Sequence, residues 1–300
     1  MEEHIHENPN DATVKWVSTE WLNQHIKSDS LTIIDTQPNI HDYISEHVPG
    51  SVYFNPELLR VPKNGLPGVY VPQVAAEQLF RRIGILPHQP IVVYTGKGIF
   101  KKWGDGLEQT MIAYSIARFG HKNIMILDGG LDKWKAEEKK LTKTFPMKQE
   151  STFNTEIQQD YIVAMDDVKA LKENDDVLLL DARPSSLYEG FGPWVLPGHI
   201  PGAINLPWRE LMDDKNPTLL KSDNDIQKIL NQKNITSDKL IICSCGTGRE
   251  ATNEFLLFKW YLGYPRVKIY EGSFTDWVSH PENHTVTGKK PLLGQKEIVE

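Results

Sequence analysis

The chain predicts an α/β protein of two tandem domains, each a mainly parallel sheet flanked by helices. Short apolar runs alternate with helical stripes, one set of landmarks occurs twice in the same order, and 300 residues suffice for two ordinary cores. Leu31-Thr-Ile-Ile-Asp35 reads as a strand ending in a carboxylate, and Val177-Leu-Leu-Leu-Asp181 matches it. The turn His47-Val-Pro-Gly-Ser-Val-Tyr53 returns as His199-Ile-Pro-Gly-Ala-Ile-Asn205. The run from Phe119 to Asp128 returns from Leu262 to Glu271, and Gly129 to Trp134 returns as Gly272 to Trp277. Such self-similarity marks a duplicated unit. The domains are expected over 14–138 and 160–288, with the polar stretch Lys135 to Gln159 as linker.

In chain order, Ser18 caps a short helix through Trp21, Leu22 and Ile26. Val74, Leu79 and Ile83 form a helical stripe before the strand Pro90-Ile-Val-Val-Tyr94. A glycine-rich loop from Gly96 to Gly106 then leads to a helix ending at Phe119-Gly120. In the second copy Ile226, Ile229 and Leu230 precede the strand from Leu240 to Cys243. Gly246 and Gly248 then turn the chain into a helix whose face carries Ala251, Phe255, Phe258 and Leu262, with Gly263 as its stop. Cys245 stands at that turn. Backbone N–H groups in such a loop are unpaired and favour a thiolate or an anion brought to it. The first copy has about seven more residues in this region, and Thr95 stands where Cys245 would be. That copy is expected to have kept the fold and lost the chemistry.

Composition narrows the classes. A net charge of -7 argues against nucleic acid or an anionic membrane as partner, and no apolar run reaches the roughly 20 residues of a membrane span. The polar N-terminus lacks the apolar core of a signal peptide, so a cytoplasmic protein is expected, unless an export signal has been trimmed. Two cysteines, Cys243 and Cys245, make no disulfide framework. With no histidine at ligand spacing near them, neither a metal nor an organic cofactor is expected, and His4 and His6 read as a solvated tail.

Three chemistries compete for the loop. Gly246-x-Gly248-x-x-Ala251, with Glu271 about 20 residues on, matches a dinucleotide fingerprint, but too little chain follows for such a sheet. Cys243 to Arg249 satisfies a phosphatase pattern of cysteine, five residues and arginine, yet Cys243 lies deeper in the strand. The third is sulfur transfer at Cys245. A binding or regulatory module that holds anions without turnover is the alternative from outside enzymology.

Here the chain resembles the two-domain rhodanese-type sulfurtransferases over roughly Val14 to Gly288. The resemblance rests on Asp181-Ala-Arg-Pro184, the run from Pro197 to Pro207, the loop Cys245-Gly-Thr-Gly-Arg-Glu250, Leu262-Gly-Tyr-Pro265 and the two tryptophan-bearing turns. It implies an inactive N-terminal and an active C-terminal domain. It also implies a ping-pong reaction in which Cys245 takes the outer sulfur of a donor and hands it to cyanide or a thiol. A thiol-bearing protein is a further candidate acceptor. The loop residues Gly246, Thr247, Gly248, Arg249 and Glu250, with Arg183, are the expected substrate-binding set. Relatives acting on 3-mercaptopyruvate carry arginines near the places of Leu187 and Gly192, so thiosulfate is the expected donor and 3-mercaptopyruvate the alternative.

Other residues read as structure. Cys243 is expected to pack as a small hydrophobe, with a resolving thiol as the minority reading. His199 is expected to brace its turn, and Arg183 either binds an anion or pairs with Asp181. Asp35, Asp181, Asp128 and Glu271 recur in both copies and suggest structural duty, as do Trp134 and Trp277. Trp194 has no counterpart and is expected at the mouth of the site.

Overall fold

The computed structural model describes residues 12–98 and 104–292. The expected features of the N-terminal tail, the middle of the Gly96 to Gly106 loop and the last residues lie outside that range. The N-terminal half runs β1 (Val14–Val17), α1 (Thr19–His25), β2 (Thr32–Asp35), α2 (Ile40–Ser45), β3 (Ser51–Tyr53), β4 (Arg60–Lys63), β5 (Leu66–Tyr70) and α3 (Gln73–Arg82). It closes with β6 (Ile91–Tyr94), α4 (Leu107–Arg118), β7 (Ile124–Leu127) and α5 (Gly130–Ala136). The C-terminal half runs α6 (Met165–Leu171), β8 (Val177–Asp181), α7 (Ser185–Glu189), β9 (Ile204–Asn205) and α8 (Asp223–Gln232). It ends with β10 (Leu240–Ser244), α9 (Glu250–Leu256), β11 (Val267–Ile269) and α10 (Ser273–Val278).

Both sheets are parallel, in the order β1-β7-β6-β2-β3 and β11-β10-β8-β9. The tandem α/β architecture expected from the sequence is present. The second sheet lacks a full counterpart of β1, and a single parallel bridge, Ile162 to Ile269, stands in that place. β2 and β6 are buried at every position, which is why both read as continuous apolar runs rather than alternating ones. Ser18 caps α1 by accepting the Trp21 N–H at 3.0 Å. Trp134 and Trp277 are core side chains, each giving its indole N–H to a backbone carbonyl, of Lys140 and His284.

Two features were not read from sequence. The first is an antiparallel ribbon, β4 with β5, whose counterpart in the second half is a bridge between Met212 and Leu220. The second lies in the polar stretch Lys135 to Gln159, expected to be a linker. Ser151, Phe153 and Thr155 in it are buried, and the Thr155 N–H donates to Glu77. It is a strap on the N-terminal domain.

The halves are joined through α4 and α9, where Tyr114 meets Phe255 edge-on with 5.2 Å between ring centroids. The recurrent carboxylates divide their work. Asp35 and Asp181 organise the turn after their own strands, accepting the N–H of Gln37 and of Arg183. Asp128 and Glu271 instead reach across. Asp128 accepts the Leu220 N–H, and Glu271 binds Arg118 and the Tyr114 hydroxyl.

Burial lifts the Asp35 carboxyl from 3.8 to about 6, against hydrogen bonds from Tyr94 and Gln37 that lower it. The folded chain therefore holds this proton where the unfolded chain has lost it. The stability contribution of Asp35 falls as pH rises from about 4 to about 6 and is level above that. Asp35→Asn should gain on the parent by up to about 3 kcal/mol across that window. Denaturant unfolding at stepped pH reads this, and a pH-independent difference between the two proteins would refute it.

Candidate active site

The site is built at the carboxyl edge of the second sheet, where ligands collect in open α/β folds. Ser244 ends β10 opposite Asp181 of β8, and Cys245 is the next residue. In the first sheet Tyr94 ends β6 opposite Asp35, and Thr95 follows. The register thus superposes Thr95 on Cys245.

Cys245 is fully buried. Its Sγ accepts the Gly248 N–H at 3.0 Å, and the backbone N–H groups of Thr247 and Ala251 also favour the thiolate. Against them, burial first and the Glu250 carboxylate second push the thiol far up. Gly248 has a φ of +80°, and a Cβ there would lie 2.3 Å from the Glu271 carbonyl oxygen, so only glycine fits.

Ser273 is a residue that the sequence reading missed. Its Oγ accepts the Cys245 N–H at 3.0 Å and donates to the Tyr270 carbonyl at 2.8 Å. Its φ is +54°, a strained conformation for a residue with a Cβ, and its counterpart Gly130 has +55°. The signal was present in the repeat, as a serine where the first copy has glycine.

The two arginines both hold carboxylates. Arg249 points to the other domain, where its guanidinium pairs with both oxygens of Asp105 and with Glu108 Oε1 at 2.9 Å. Its fork is filled by two carboxylates, an arrangement that the sequence expectation of a donor-anion ligand did not include. Arg183 is fully buried and chelates Asp181 through Nε and Nη2, with Nη2 also on the Gly198 carbonyl at 2.9 Å. The salt bridge with Asp181 is formed, and Nη1 alone of its nitrogens has no hydrogen-bond partner. The guanidinium lies 4.1 Å from the Phe274 ring centroid and 4.9 Å from that of Trp194.

Trp194 packs on the loop as expected of a residue at its mouth. A Cβ on Gly246 would lie 3.0 Å from its ring, which explains the glycine. Its indole N–H donates to Thr275 Oγ1 at 2.8 Å, and that hydroxyl donates to the Gly246 carbonyl at 2.7 Å. Arg60 of the β4–β5 ribbon donates to the Thr247 carbonyl from the other side. The ribbon, Tyr70, Arg118, Thr247 and Glu271 line a cavity of about 260 Å³ between the domains.

Cys243 is buried between Leu180 and Ile269 in the sheet, and burial followed by the nearby Glu254 pushes its thiol well up. Packing is what its surroundings show. His199 stacks on Tyr188 at 3.6 Å, with one ring nitrogen on the Tyr188 carbonyl and the other on that of Lys290. It braces the turn. The first copy's equivalent edge is occupied from across the interface, because Thr218 accepts the Gly129 N–H at 2.9 Å and lies against Gly130 and Gly106. Among the described residues no three His, Cys, Asp or Glu side chains converge as a metal site, and no helix is long and apolar enough to cross a membrane.

Both halves of the chain are similar to known proteins. The rhodanese-like domain profile matches residues 18–137 and 164–280. A putative thiosulfate sulfurtransferase of Synechococcus elongatus is 34% identical over 275 residues, covering 89% of this chain and 83% of that protein. A 3-mercaptopyruvate sulfurtransferase of Escherichia coli is 28% identical over 282 residues, covering 89% and 95%. The crystal structure of SseA from Escherichia coli superposes with a TM-score of 0.77 at 27% identity, over 87% of this chain and 99% of that one.

Arg249→Met should strand the buried Glu108 carboxylate and cost about 1–3 kcal/mol of stability. Adding Glu108→Gln should recover part of the loss, since a neutral amide tolerates burial better. Thermal midpoints of the two singles and the double check this, and strictly additive losses would sink it.

Proposed function

The chain belongs to the rhodanese-like family, and from that premise we propose that it is a sulfurtransferase working through a persulfide on Cys245, with thiosulfate as its donor. The observation that carries this reading is the buried Cys245 sulfur receiving the Gly248 N–H at 3.0 Å in a glycine loop at a sheet's carboxyl edge. An unperturbed cysteine, with a pKa of about 8.5, is mostly protonated at neutral pH, and a ring of N–H dipoles supports both a thiolate and a terminal persulfide sulfur. The first copy offers Thr95 and a filled edge, so chemistry is assigned to the second alone.

In the first half-reaction the Cys245 thiolate attacks the outer sulfur of thiosulfate and sulfite leaves. In the second, cyanide or a thiol takes that sulfur from the persulfide. Gly246, Thr247, Gly248 and Glu250 form the cup, and Arg183 Nη1 is the buried cationic N–H left to meet a sulfonate oxygen. Thiosulfate is preferred over 3-mercaptopyruvate because no second arginine lies between Arg183 and His199, where Leu187 and Gly192 stand.

Intact mass after incubation with thiosulfate tests the proposal. The parent should gain roughly 32 Da, one sulfur held covalently, and cyanide should discharge it. Cys245→Ser should gain nothing, while Cys243→Ser should behave as the parent. A gain with 3-mercaptopyruvate alone would reassign the donor, and no gain with either would leave an anion-binding module.

A further inference from the structure

Arg60, Arg118, Arg183 and Arg249 stand around the loop that carries Cys245, and all but Arg60 are spent on carboxylates. Arg60, from β4 of the other domain, is hydrogen-bonded to backbone carbonyls, and among the described residues no carboxylate pairs with it. Its Nε and Nη2 both donate to the Gly68 carbonyl, at 3.0 and 2.7 Å, and Nη2 also donates to the Thr247 carbonyl. The paired contacts on one oxygen fix the plane of the fork and leave the second Nη2 hydrogen to cross the domain interface. The position is shaped for the guanidinium. A Cβ on Gly68 would lie 2.7 Å from Nη2, so the ribbon carries a glycine there.

The carbonyl that Arg60 reaches belongs to the same peptide unit that serves the thiol. Thr247 supplies the C=O, and Gly248 supplies the N–H that lies 3.0 Å from Cys245 Sγ. A trans peptide points these two groups in opposite directions, so one planar group links the guanidinium to the sulfur. A charged donor on the carbonyl draws electrons from the amide and makes its N–H the stronger donor. The contact also fixes the peptide's direction. Gly248, at a φ of +80°, tolerates rotations that other residues resist, and a flipped unit would turn its carbonyl dipole on the sulfur.

We propose that Arg60 is a positioning residue for Cys245, favouring the thiolate through the Thr247–Gly248 peptide, an inference that rests on Cys245 being the nucleophile. The domain without a cysteine thereby takes a part in the chemistry of the other. Cys245 is fully buried, which disfavours charge on its sulfur. The site's other arginines are neutralised before they reach it, and Arg60 is the cation left to oppose that penalty.

Other charged and titratable groups face the loop from each element around it. Glu250 and Glu254 belong to α9, and Cys243 lies two residues back in β10. Asp181 and Arg183 follow β8, and His199 braces the turn beyond them. Asp105, Glu108 and Arg118 come from α4 and the turn before it, with Glu271 after β11. Asp276 of α10 accepts the Tyr270 hydroxyl. All of these are kept in every variant below.

The test is a titration of ultraviolet thiolate absorbance with no donor present. It runs from about pH 6 to about pH 10, around the ordinary cysteine value. Each protein is read against its own Cys245→Ser form, so Cys243 and the tyrosines cancel. Arg60→Met keeps the side chain's length without its charge or hydrogen bonds. Its Cys245 midpoint should rise by about one pH unit, as loss of a neighbouring opposite charge does. Gly68→Ala keeps the charge but displaces Nη2, and should raise the midpoint by less. Arg60→Lys returns a cation and should recover part of the shift. A merely structural brace predicts the opposite sign, because a loosened loop admits water to the sulfur and lowers the midpoint. A midpoint that falls or stays put in Arg60→Met and Gly68→Ala overturns the proposal. So does a parent with no Cys245-dependent titration, which would have no thiolate to favour. The parent and Gly68→Ala decide the matter even if Arg60→Met does not fold. Sulfur gain from thiosulfate is read separately by intact mass. A parent that gains sulfur while the midpoints stay put refutes the role of Arg60 and leaves the transferase standing. Raised midpoints with no sulfur gained would support that role and refute the transferase instead.

Discussion

Arg249 sits in the loop that follows Cys245, yet its guanidinium is bound by Asp105 and Glu108 of the other domain, and the rest of the site follows from that bridge. A six-residue glycine loop has little stiffness of its own, because glycine restricts the backbone least. Here it is fixed from several sides. Arg249 ties it to α4, Arg60 of the ribbon holds the Thr247 carbonyl, and Thr275 holds the Gly246 carbonyl. Precise placement of N–H groups around one sulfur is what such bracing supplies.

The bracing is reciprocal. The β4–β5 ribbon of the first half lies on the second half's loop, and the segment between Met212 and Leu220 lies on the first half's equivalent edge. Glu271 and Asp128, matched residues of the repeat, each bind a partner in the opposite domain. The two copies have therefore specialised on one shared frame. In the first, Thr218 closes on Gly129 and Gly130. In the second, Ser273 replaces the matching glycine, keeps its unfavourable φ and brings a hydroxyl under the Cys245 N–H. Backbone strain held at such a point is characteristic of functional sites.

Charge around the sulfur is organised by burial. Arg183 is neutralised by Asp181 before it reaches the loop, and its guanidinium lies against Phe274 and Trp194. Trp194 in turn closes on Gly246 where a larger residue would collide. Phe191 and Val195 of the same segment face solvent, so the tryptophan is its inward-turned side chain.

The duplication, both parallel sheets and the position of Cys245 after β10 were legible in the sequence, because each rests on local signals. Apolar runs, helical stripes and turn glycines report on residues close in the chain, and repetition doubled those signals. The partners of the charged residues were not legible. Arg249 and Asp105 are 144 positions apart, and Glu271 and Arg118 are 153 apart, so no spacing rule links them. Nor could periodicity find the ribbon or the buried strap, whose residues pack through contacts made only after both domains fold. Sequence by itself determined which atoms are available at the turn. Tertiary structure decided which of them are already taken, because an ion pair or a buried hydrogen bond depends on distance in space and on exclusion of water.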